Sequence, residues 1–455
     1  MLSQQDAKNL IEKVLSYSKL PGCDVSVNSE ESAFIRFANN GITTSGYVLE
    51  QSVSISSTTE DGRRGSSGAN ELTDESLKES VEEAERLAAI SRPDPEIVPA
   101  LGQQKYPELH NYDAFTGSAR GDVMIPHVKA IIDCARKNQL ISAGFIERSA
   151  RAVAIGNKAG LFGYHTLTDS SLSNTMRNKG GTSSGWASQT SVSLKDIDGE
   201  SAGRISSEKC LRGAGAKRKL DPGKYTVILE PSGASDLIGF LGFGFGARQA
   251  EQGQSFLSKQ GGGTHLGDKL FPEFITLRTD PFNPKLPALP WTGGGGRGGF
   301  GGGGGGSLPT DKITWIENGV VKNLSYDRFW ASKAGKQPTP GPADLVLDGQ
   351  DHSLEDLIQS VDRGLLITRL WYIRFLQQRT LQLTGLTRDG VFLVENGKVT
   401  DPVTNFRWNE SPVRVLQNAK RLTKSARALG SEGGSTIAPA MVVADFNLAS
   451  VSDAV

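Results

Sequence analysis

The sequence predicts an α+β protein, and three observations lead to that prediction. The chain has 455 residues, which is long enough for two or three domains that each bury a core. Several segments have the apolar spacing of amphipathic helices, whereas others alternate apolar and polar residues as strands do. Tight-turn signals, among them the Asn-Gly pairs at 318–319 and 396–397, join many of the predicted strands.

Residues 1–115 are predicted to form an N-terminal helix–sheet domain. Apolar residues between Ala7 and Leu15 recur at i, i+3, i+4, i+7 and i+8, which is typical of an amphipathic helix. Alternation within 32–55 predicts strands. Thr73 is predicted to cap a second helix, whose first turn carries two acidic residues. A polar connection that contains prolines then runs to about residue 117.

Residues 118–217 are predicted to form a middle domain. Its first helix covers roughly 122–138 and turns Val128 and Ile132 inward. The strands after this helix are predicted to be short, with a hairpin turn at Gly156–Lys158. These predicted strands are 144–147, 152–155, 160–162 and 183–194. A last helix is predicted for 208–217.

The remaining residues, 219–455, are predicted to form a large β-rich C-terminal domain. Asn318-Gly319 and Asn396-Gly397 each stand between two strand-like runs, as in a hairpin with a type I′ turn. Residues 293–306 are glycines interrupted only by one arginine and one phenylalanine. Such a segment has too little apolar surface to offset its ordering entropy, so we predict a mobile loop there.

Charge and apolarity exclude several classes of protein. Lysine plus arginine equals aspartate plus glutamate at 50 each, which argues against a nucleic-acid partner bound through bulk charge. The most apolar run, Leu237–Ala247, is far shorter than the roughly 20 residues that span a bilayer, so no membrane partner is expected. The N-terminus lacks the apolar region of a signal peptide. Cys23, Cys134 and Cys210 lie far apart, as free thiols in a reducing compartment do, and a cytoplasmic location is expected.

No catalytic constellation is evident in the sequence. The five histidines lack the spacing of helical metal ligands, and His-Glu-x-x-His is absent. Residues 181–185 match G-x-S-x-G, but a polar segment precedes them, whereas a nucleophile elbow follows an apolar strand. The glycines at 242, 244 and 246 miss the spacing of a dinucleotide-binding loop. We therefore predict no catalytic residue and no metal ligand in this chain.

An ordered series of short motifs resembles the TldD/PmbA family over nearly the whole chain. Each motif is weak alone, but together they follow the order found in that family. They are Arg36–Ile42, Asp61–Gly65, the helix Leu72–Ile90, Ala154–Gly160, Ser255–Leu257, Leu266–Asp268, Thr279–Pro281, Ile316–Val320 and Thr387–Lys398.

This resemblance implies a metal site that the sequence lacks. The family is described as peptidases and as modulators of DNA gyrase and of microcin maturation. Its active subunit carries His-Glu-x-x-x-His on a helix, in which the two histidines bind zinc and the glutamate acts as general base, and a distal cysteine is the third zinc ligand. The positions that correspond to this motif are Gly239, Phe240, Leu241, Gly242, Phe243 and Gly244. No cysteine follows Cys210. The chain therefore resembles the metal-free TldE/PmbA-type subunit, and zinc is expected only in a TldD-type partner.

The degenerate motif suggests a structural role for its phenylalanines. We predict that 237–247 is helical and that Phe240, Phe243 and Phe245 lie near an inner cleft or a subunit interface; ordinary core packing is the competing interpretation. The resemblance implies a non-catalytic subunit that helps a TldD-type zinc peptidase, or a second copy of itself, to hold an unfolded peptide. The alternatives are a peptidase in its own right and a non-enzymatic scaffold such as a gyrase modulator.

Overall fold

The computed structural model describes residues 1–293, 306–432 and 435–452. The protein has the mixed α+β architecture that the sequence predicts. Its α-helices are α1 (Gln4–Tyr17), α2 (Asp74–Ile90), α3 (Ala114–Ser118), α4 (Gly121–Lys137), α5 (Gly199–Arg212), α6 (Pro231–Leu241), α7 (Ala247–Glu251), α8 (Arg328–Ala334), α9 (Leu354–Gln359) and α10 (Pro412–Gln417).

The strands make up three sheets. In the N-terminal half they are β1 (Gly22–Ala38), β2 (Gly41–Thr58), β3 (Arg64–Ala69), β4 (Leu140–Asn157), β5 (Phe162–Asn178) and β6 (Ser184–Ser191). In the C-terminal half they are β7 (Gly223–Leu229), β8 (Leu277–Thr279), β9 (Ile313–Glu317), β10 (Val320–Val321), β11 (Leu345–Leu347), β12 (Arg363–Gln377), β13 (Gln382–Glu395), β14 (Lys398–Pro402), β15 (Asn405–Glu410), β16 (Ala419–Leu422), β17 (Ala426–Leu429), β18 (Ser435–Ala438) and β19 (Met441–Ser452).

The N-terminal half is built on one antiparallel sheet with the order β3-β2-β1-β4-β5-β6. Because β1 pairs with β4 over most of its length, the segments predicted as N-terminal and middle domains share this sheet. The boundaries predicted between them stay a prediction. The strands predicted at 144–147 and 152–155 are both parts of β4, which has 18 residues, and the one predicted at 160–162 reaches only the first residue of the 17-residue β5, whereas the one predicted at 183–194 is β6. Serines and threonines in β5 dilute the apolar alternation by which sequence patterns detect a strand.

Two groups of helices cover this sheet, each with its own core. Helices α1 and α2 bury their apolar stripes against one end, and α4 and α5 cover the other end. Thr73 caps α2 as predicted, because its side chain accepts a hydrogen bond from the Ser76 N–H. The helix predicted at 208–217 is α5, which both begins and ends earlier, at Gly199 and Arg212. It begins there because the Asp198 carboxylate accepts hydrogen bonds from the N–H groups of Glu200 and Ser201.

The C-terminal half consists of two sheets with a large shared core. One sheet has the order β10-β9-β8-β11-β18-β17. In the other, β12-β7-β19-β15-β13-β14, an additional β12–β13 pairing closes a ring of strands. Trp315, Trp408 and Phe406 are buried in the core. Both Asn-Gly hairpins are confirmed, since each Asn and Gly has a positive φ between 50° and 80°.

Three further sequence predictions concern the glycine-rich segment, the cysteines and membrane spanning. The glycine-rich loop predicted at 293–306 falls almost wholly outside the described residues, which include only its two end glycines. Cys23, Cys134 and Cys210 are all free thiols. Within the described part of the chain, no helix combines the length and the apolarity needed to cross a bilayer.

Candidate functional site

Helix α6 carries the first part of the segment predicted to replace a metal motif. Pro231 lies in its first turn, where a missing N–H costs no hydrogen bond. The helix ends at Leu241, and a 3-10 turn at Gly242–Gly244 leads into the short helix α7. The prediction of one helix over all of 237–247 is therefore wrong for residues 242–246, which separate α6 from α7. Three glycines follow at alternate positions, and each costs a helix about 1 kcal/mol relative to alanine.

An aromatic patch lies at the C-terminal end of α6. We define it as Phe240, Phe243 and Phe375. The Phe240 and Phe243 ring centroids are 6.1 Å apart, and Phe375 of β12 lies 5.3 and 5.7 Å from them. Phe240 is nearly buried, whereas Phe243 is 41% exposed. Phe243 therefore presents apolar surface beside the end of the helix, and two further residues of β12, Tyr372 and Leu376, are 52% and 55% exposed.

Phe245 belongs to the core and not to the aromatic patch. Its side chain is fully buried, and its ring centroid lies 5.9 Å from that of Phe256 and 5.3 Å from that of Trp315. The backbone at Gly244 approaches Phe256 so closely that a Cβ there would lie 2.2 Å from its ring. A fully buried ring has no surface to offer a partner, so Phe245 is removed from the predicted interface residues. Phe243 keeps an exposed face.

The residues at the metal-motif position do not fit a zinc ion. From Gly239 to Gly244 no side chain carries a nitrogen, oxygen or sulfur donor. The acid within α6, Asp236, is fully buried, and its carboxylate accepts hydrogen bonds from the backbone N–H groups of Ser431 and Glu432. In the described ranges no three His, Cys, Asp or Glu side chains form a group that could hold a metal ion. The side chains at this position therefore support no catalytic step through a metal, and the metal content of the chain stays a prediction.

The strand that carries Phe375, β12, has an unpaired edge. β12 pairs with β13 from Arg363 to Gln377, but it pairs with β7 only over Leu365–Ile367. From Trp371 to Gln377 no other described strand pairs with the second edge of β12; this stretch is irregular, with two register shifts against β13 and a φ of 55° at Tyr372. A free edge presents a row of backbone N–H and C=O groups to which an extended peptide can add. The site therefore combines backbone hydrogen-bonding groups with adjacent apolar side chains.

A buried charged cluster connects β12 to the antiparallel sheet of the N-terminal half, which contains β6. The Arg369 Nε donates to Asp389 Oδ2 at 2.8 Å, and Asp389 is 1% exposed. The Arg369 guanidinium also lies over Trp186 of β6 and over Trp371, at 4.5 and 5.2 Å from the ring centroids. Burial lowers the pKa of Arg369, whereas the Asp389 carboxylate raises it. An arginine remains charged in such a site because its ordinary pKa is very high.

Two further ion pairs join the two halves of the chain. Lys209 of α5 donates to Glu230, the residue before α6, at 2.6 Å. Arg427 of β17 lies 2.8 Å from Asp169 of β5. The Lys209–Glu230 pair fixes the start of α6 against the N-terminal half, and the Arg427–Asp169 pair fixes β17 to β5. The site can position a bound chain, but no nucleophile paired with a base is among the residues that the structure describes around it.

The cluster around Arg369 contains residues that sequence patterns did not reveal. A signal was present, because Arg369 interrupts the largely apolar segment Leu365–Trp371, and a charge in such a strand requires a partner. The identity of the partner, Asp389, depends on the β12–β13 register. The free edge of β12 has no sequence signal, because it depends on which strands the fold brings alongside.

Two domain models of one protein family match this chain. Residues 222–450 match the domain described as the PmbA/TldA metallopeptidase C-terminal domain, and residues 23–88 match PmbA/TldA metallopeptidase domain 1. The chain belongs to the PmbA/TldD family. The resemblance predicted from the ordered motifs is thereby confirmed. Among curated proteins, no sequence matches this PmbA/TldD chain.

Solved structures share the fold of this PmbA/TldD chain over nearly its whole length. TldE from Thermococcus kodakarensis is 20% identical with a TM-score of 0.80, over 97% of this chain and 99% of that one. A candidate modulator of a DNA gyrase from Thermotoga maritima is 18% identical with a TM-score of 0.79, over 97% and 99%. A candidate modulator of DNA gyrase from Bacteroides thetaiotaomicron is 21% identical with a TM-score of 0.79, over 98% and 99%. At these identities the similarity shows the fold alone.

Proposed function

We propose that this PmbA/TldD-family chain is a non-catalytic subunit of a metallopeptidase-type complex. In this proposal it holds unfolded peptides for a zinc-bearing TldD-type partner in the cytoplasm, without nucleic acid or membrane as a partner. One observation carries the proposal. The metal-motif position, Gly239–Gly244, has no side chain that could ligate zinc, yet it adjoins the exposed aromatic patch and the free edge of β12.

The free edge and the aromatic patch suit different parts of an extended peptide. Backbone groups from Trp371 to Gln377 would pair with the peptide main chain, which makes recognition independent of sequence. Phe243, Tyr372 and Leu376 would cover apolar side chains of the peptide. The Lys209–Glu230 ion pair holds the start of α6 in place, and the Arg369–Asp389 ion pair holds β12 in place. Cleavage of the bound peptide would depend on the metal and the base of the partner.

Peptide binding to matched phenylalanine variants tests this proposal. Phe243 is 41% exposed within the patch, and Phe282 is 47% exposed in a loop outside it, so Phe282→Ala is a matched control. A labelled, unfolded peptide is titrated with each protein, and binding is followed by fluorescence anisotropy. We expect Phe243→Ala to weaken binding about tenfold or more, as at an aromatic hot spot, and Phe282→Ala to leave it unchanged. Equal affinities of both variants and the wild type would refute the proposed site.

Two alternatives remain distinguishable by activity. A peptidase in its own right would cleave the labelled peptide without any partner, and Phe243→Ala would reduce that cleavage. A gyrase modulator or scaffold is the second candidate, because two structures of the same fold are described as candidate modulators of DNA gyrase. A purified chain that changes gyrase supercoiling but binds no unfolded peptide would favour this second candidate.

A further inference from the structure

The strand that offers the free edge, β12, and its hairpin partner β13 are strongly basic. From Arg363 to Arg388, which covers β12 and the first half of β13, the chain has five arginines and no lysine, aspartate or glutamate. Basic and acidic residues are equal in number over the whole chain, so this stretch is a local excess of positive charge. A ligand of the free edge therefore meets a positively charged surface.

Three of these arginines lie over aromatic rings of β12. The guanidiniums of Arg369 and Arg388 are each 5.2 Å from the ring centroid of Trp371, and that of Arg374 is 4.4 Å from the centroid of Tyr372. Stacking on a ring restrains a guanidinium, whose planar N–H groups can bind a carboxylate through two parallel hydrogen bonds. The arginines are therefore restrained groups that suit carboxylates.

Acidic side chains of the protein already hold two of the arginines. Arg369 donates to Asp389, and Arg374 Nη1 donates to Glu432 Oε2 at 3.0 Å. Asp236 also interacts electrostatically with Arg369. Asp236 and Asp389 are both buried, so little negative charge reaches the surface that a peptide would contact.

Two other arginines remain available to a ligand. The side chain of Arg388 is 27% exposed, and its Nε lies 3.7 Å from Asp389 Oδ2, which is too far for a hydrogen bond. Arg379, in the turn between β12 and β13, is exposed and has no hydrogen bond or ion pair with any residue that the structure describes. Arg388 lies over Trp371, where the free edge begins, and Arg379 follows Gln377, where it ends. The two available guanidiniums therefore flank the free edge.

We propose that the peptide bound along β12 is acidic and that its aspartate or glutamate carboxylates bind Arg379 and Arg388. This inference rests on the peptide-binding function proposed above and names the substrate class of that site. Main-chain pairing accepts any sequence, so the preference for acidic residues comes from these two side chains. A peptide rich in lysine brings like charges together at the same place and binds more weakly.

Three matched peptides test the charge preference. They are unfolded, labelled peptides of one length with the same apolar residues, and they carry glutamate, glutamine or lysine at the same positions. We expect the full chain to bind the glutamate peptide about tenfold more tightly than the glutamine peptide at low salt, and the lysine peptide most weakly. The preference should shrink at 0.15 M salt, where the Debye length is about 8 Å. Equal affinities for all three peptides would overturn the inference and leave the proposed function standing, whereas binding of none would refute both.

Arginine variants test which side chains carry the preference. Arg379→Gln and Arg388→Gln should each weaken binding of the glutamate peptide and leave binding of the glutamine peptide unchanged. Arg92→Gln, at an exposed position after α2, is the matched control and should change neither. Phe243→Ala should weaken both peptides alike, because its ring contacts apolar residues. Urea unfolding checks that Arg388→Gln is folded, and the exposed Arg379 provides a variant that does not disturb the core. A glutamate preference that survives in both arginine variants would overturn the assignment.

Discussion

Removal of the Arg369 charge should expose how strongly the buried cluster supports the fold. In Arg369→Met the Asp389 carboxylate stays 1% exposed, and the Arg388 Nε at 3.7 Å is a cation still near it. Removing one member of a buried ion pair costs about 3–5 kcal/mol, since the other charge is left uncompensated. Arg388 offsets part of this cost, so we expect about 3 kcal/mol for Arg369→Met.

Removal of the other charge of the pair, that of Asp389, has a smaller expected effect. Asp389→Asn leaves the Arg369 guanidinium over Trp186 and Trp371, and cation–π contacts of this kind each contribute about 0.5–2 kcal/mol. We therefore expect a cost of about 2 kcal/mol. In the double variant neither charge remains unpaired, so its cost should fall below the sum of the single costs by about 2 kcal/mol.

Urea denaturation followed by tryptophan fluorescence measures these three costs, because Trp186 and Trp371 adjoin the pair. The midpoint should shift without a large change in the denaturant slope. If the cost of the double variant equals the sum of the two single-variant costs within about 0.5 kcal/mol, the reasoning is refuted, because independent sites behave in that way.

The remaining predictions concern the core, the pH response and the metal content. Phe245→Ala should lower the free energy of unfolding by about 3–5 kcal/mol, whereas Phe243→Ala, with a ring 41% exposed, should cost less than half as much; equal costs in thermal or urea unfolding would contradict the assigned burial. Burial lowers the pKa of His165 to about 4. The unfolded chain protonates this histidine near pH 6.5, whereas the folded protein does so only near pH 4, so the free energy of unfolding falls by up to about 3 kcal/mol between these pH values. His165→Gln should remove this part of the acid sensitivity. If the free energies of unfolding of the wild type and the variant differ by the same amount at pH 7 and at pH 4.5, the prediction is contradicted. Metal analysis of chelator-free protein should find less than stoichiometric zinc, and one zinc per chain that His265→Ala removes would contradict the predicted loss of the metal site.

The elements with strong local patterns could be predicted from the sequence. Local periodicity identifies the apolar faces of α1, α2 and α4, because each face depends only on residues close in sequence. Turn chemistry identifies the Asn-Gly turns at 318–319 and 396–397 for the same reason. The absence of zinc ligands at Gly239–Gly244 is likewise a property of the residue types. β4 and β5 were predicted too short, because polar residues on one face weaken the alternation that marks a strand.

The sequence by itself determined the α+β class, the family resemblance and the loss of metal-binding side chains at one position. Only the tertiary structure decided that Phe245 is core while Phe243 is exposed, although both are phenylalanines of one glycine-rich segment. It also decided that Arg369 meets Asp389, and that part of β12 keeps a free edge. These features depend on strand pairing and packing between residues distant in sequence, whereas local patterns report only which side of an element is apolar.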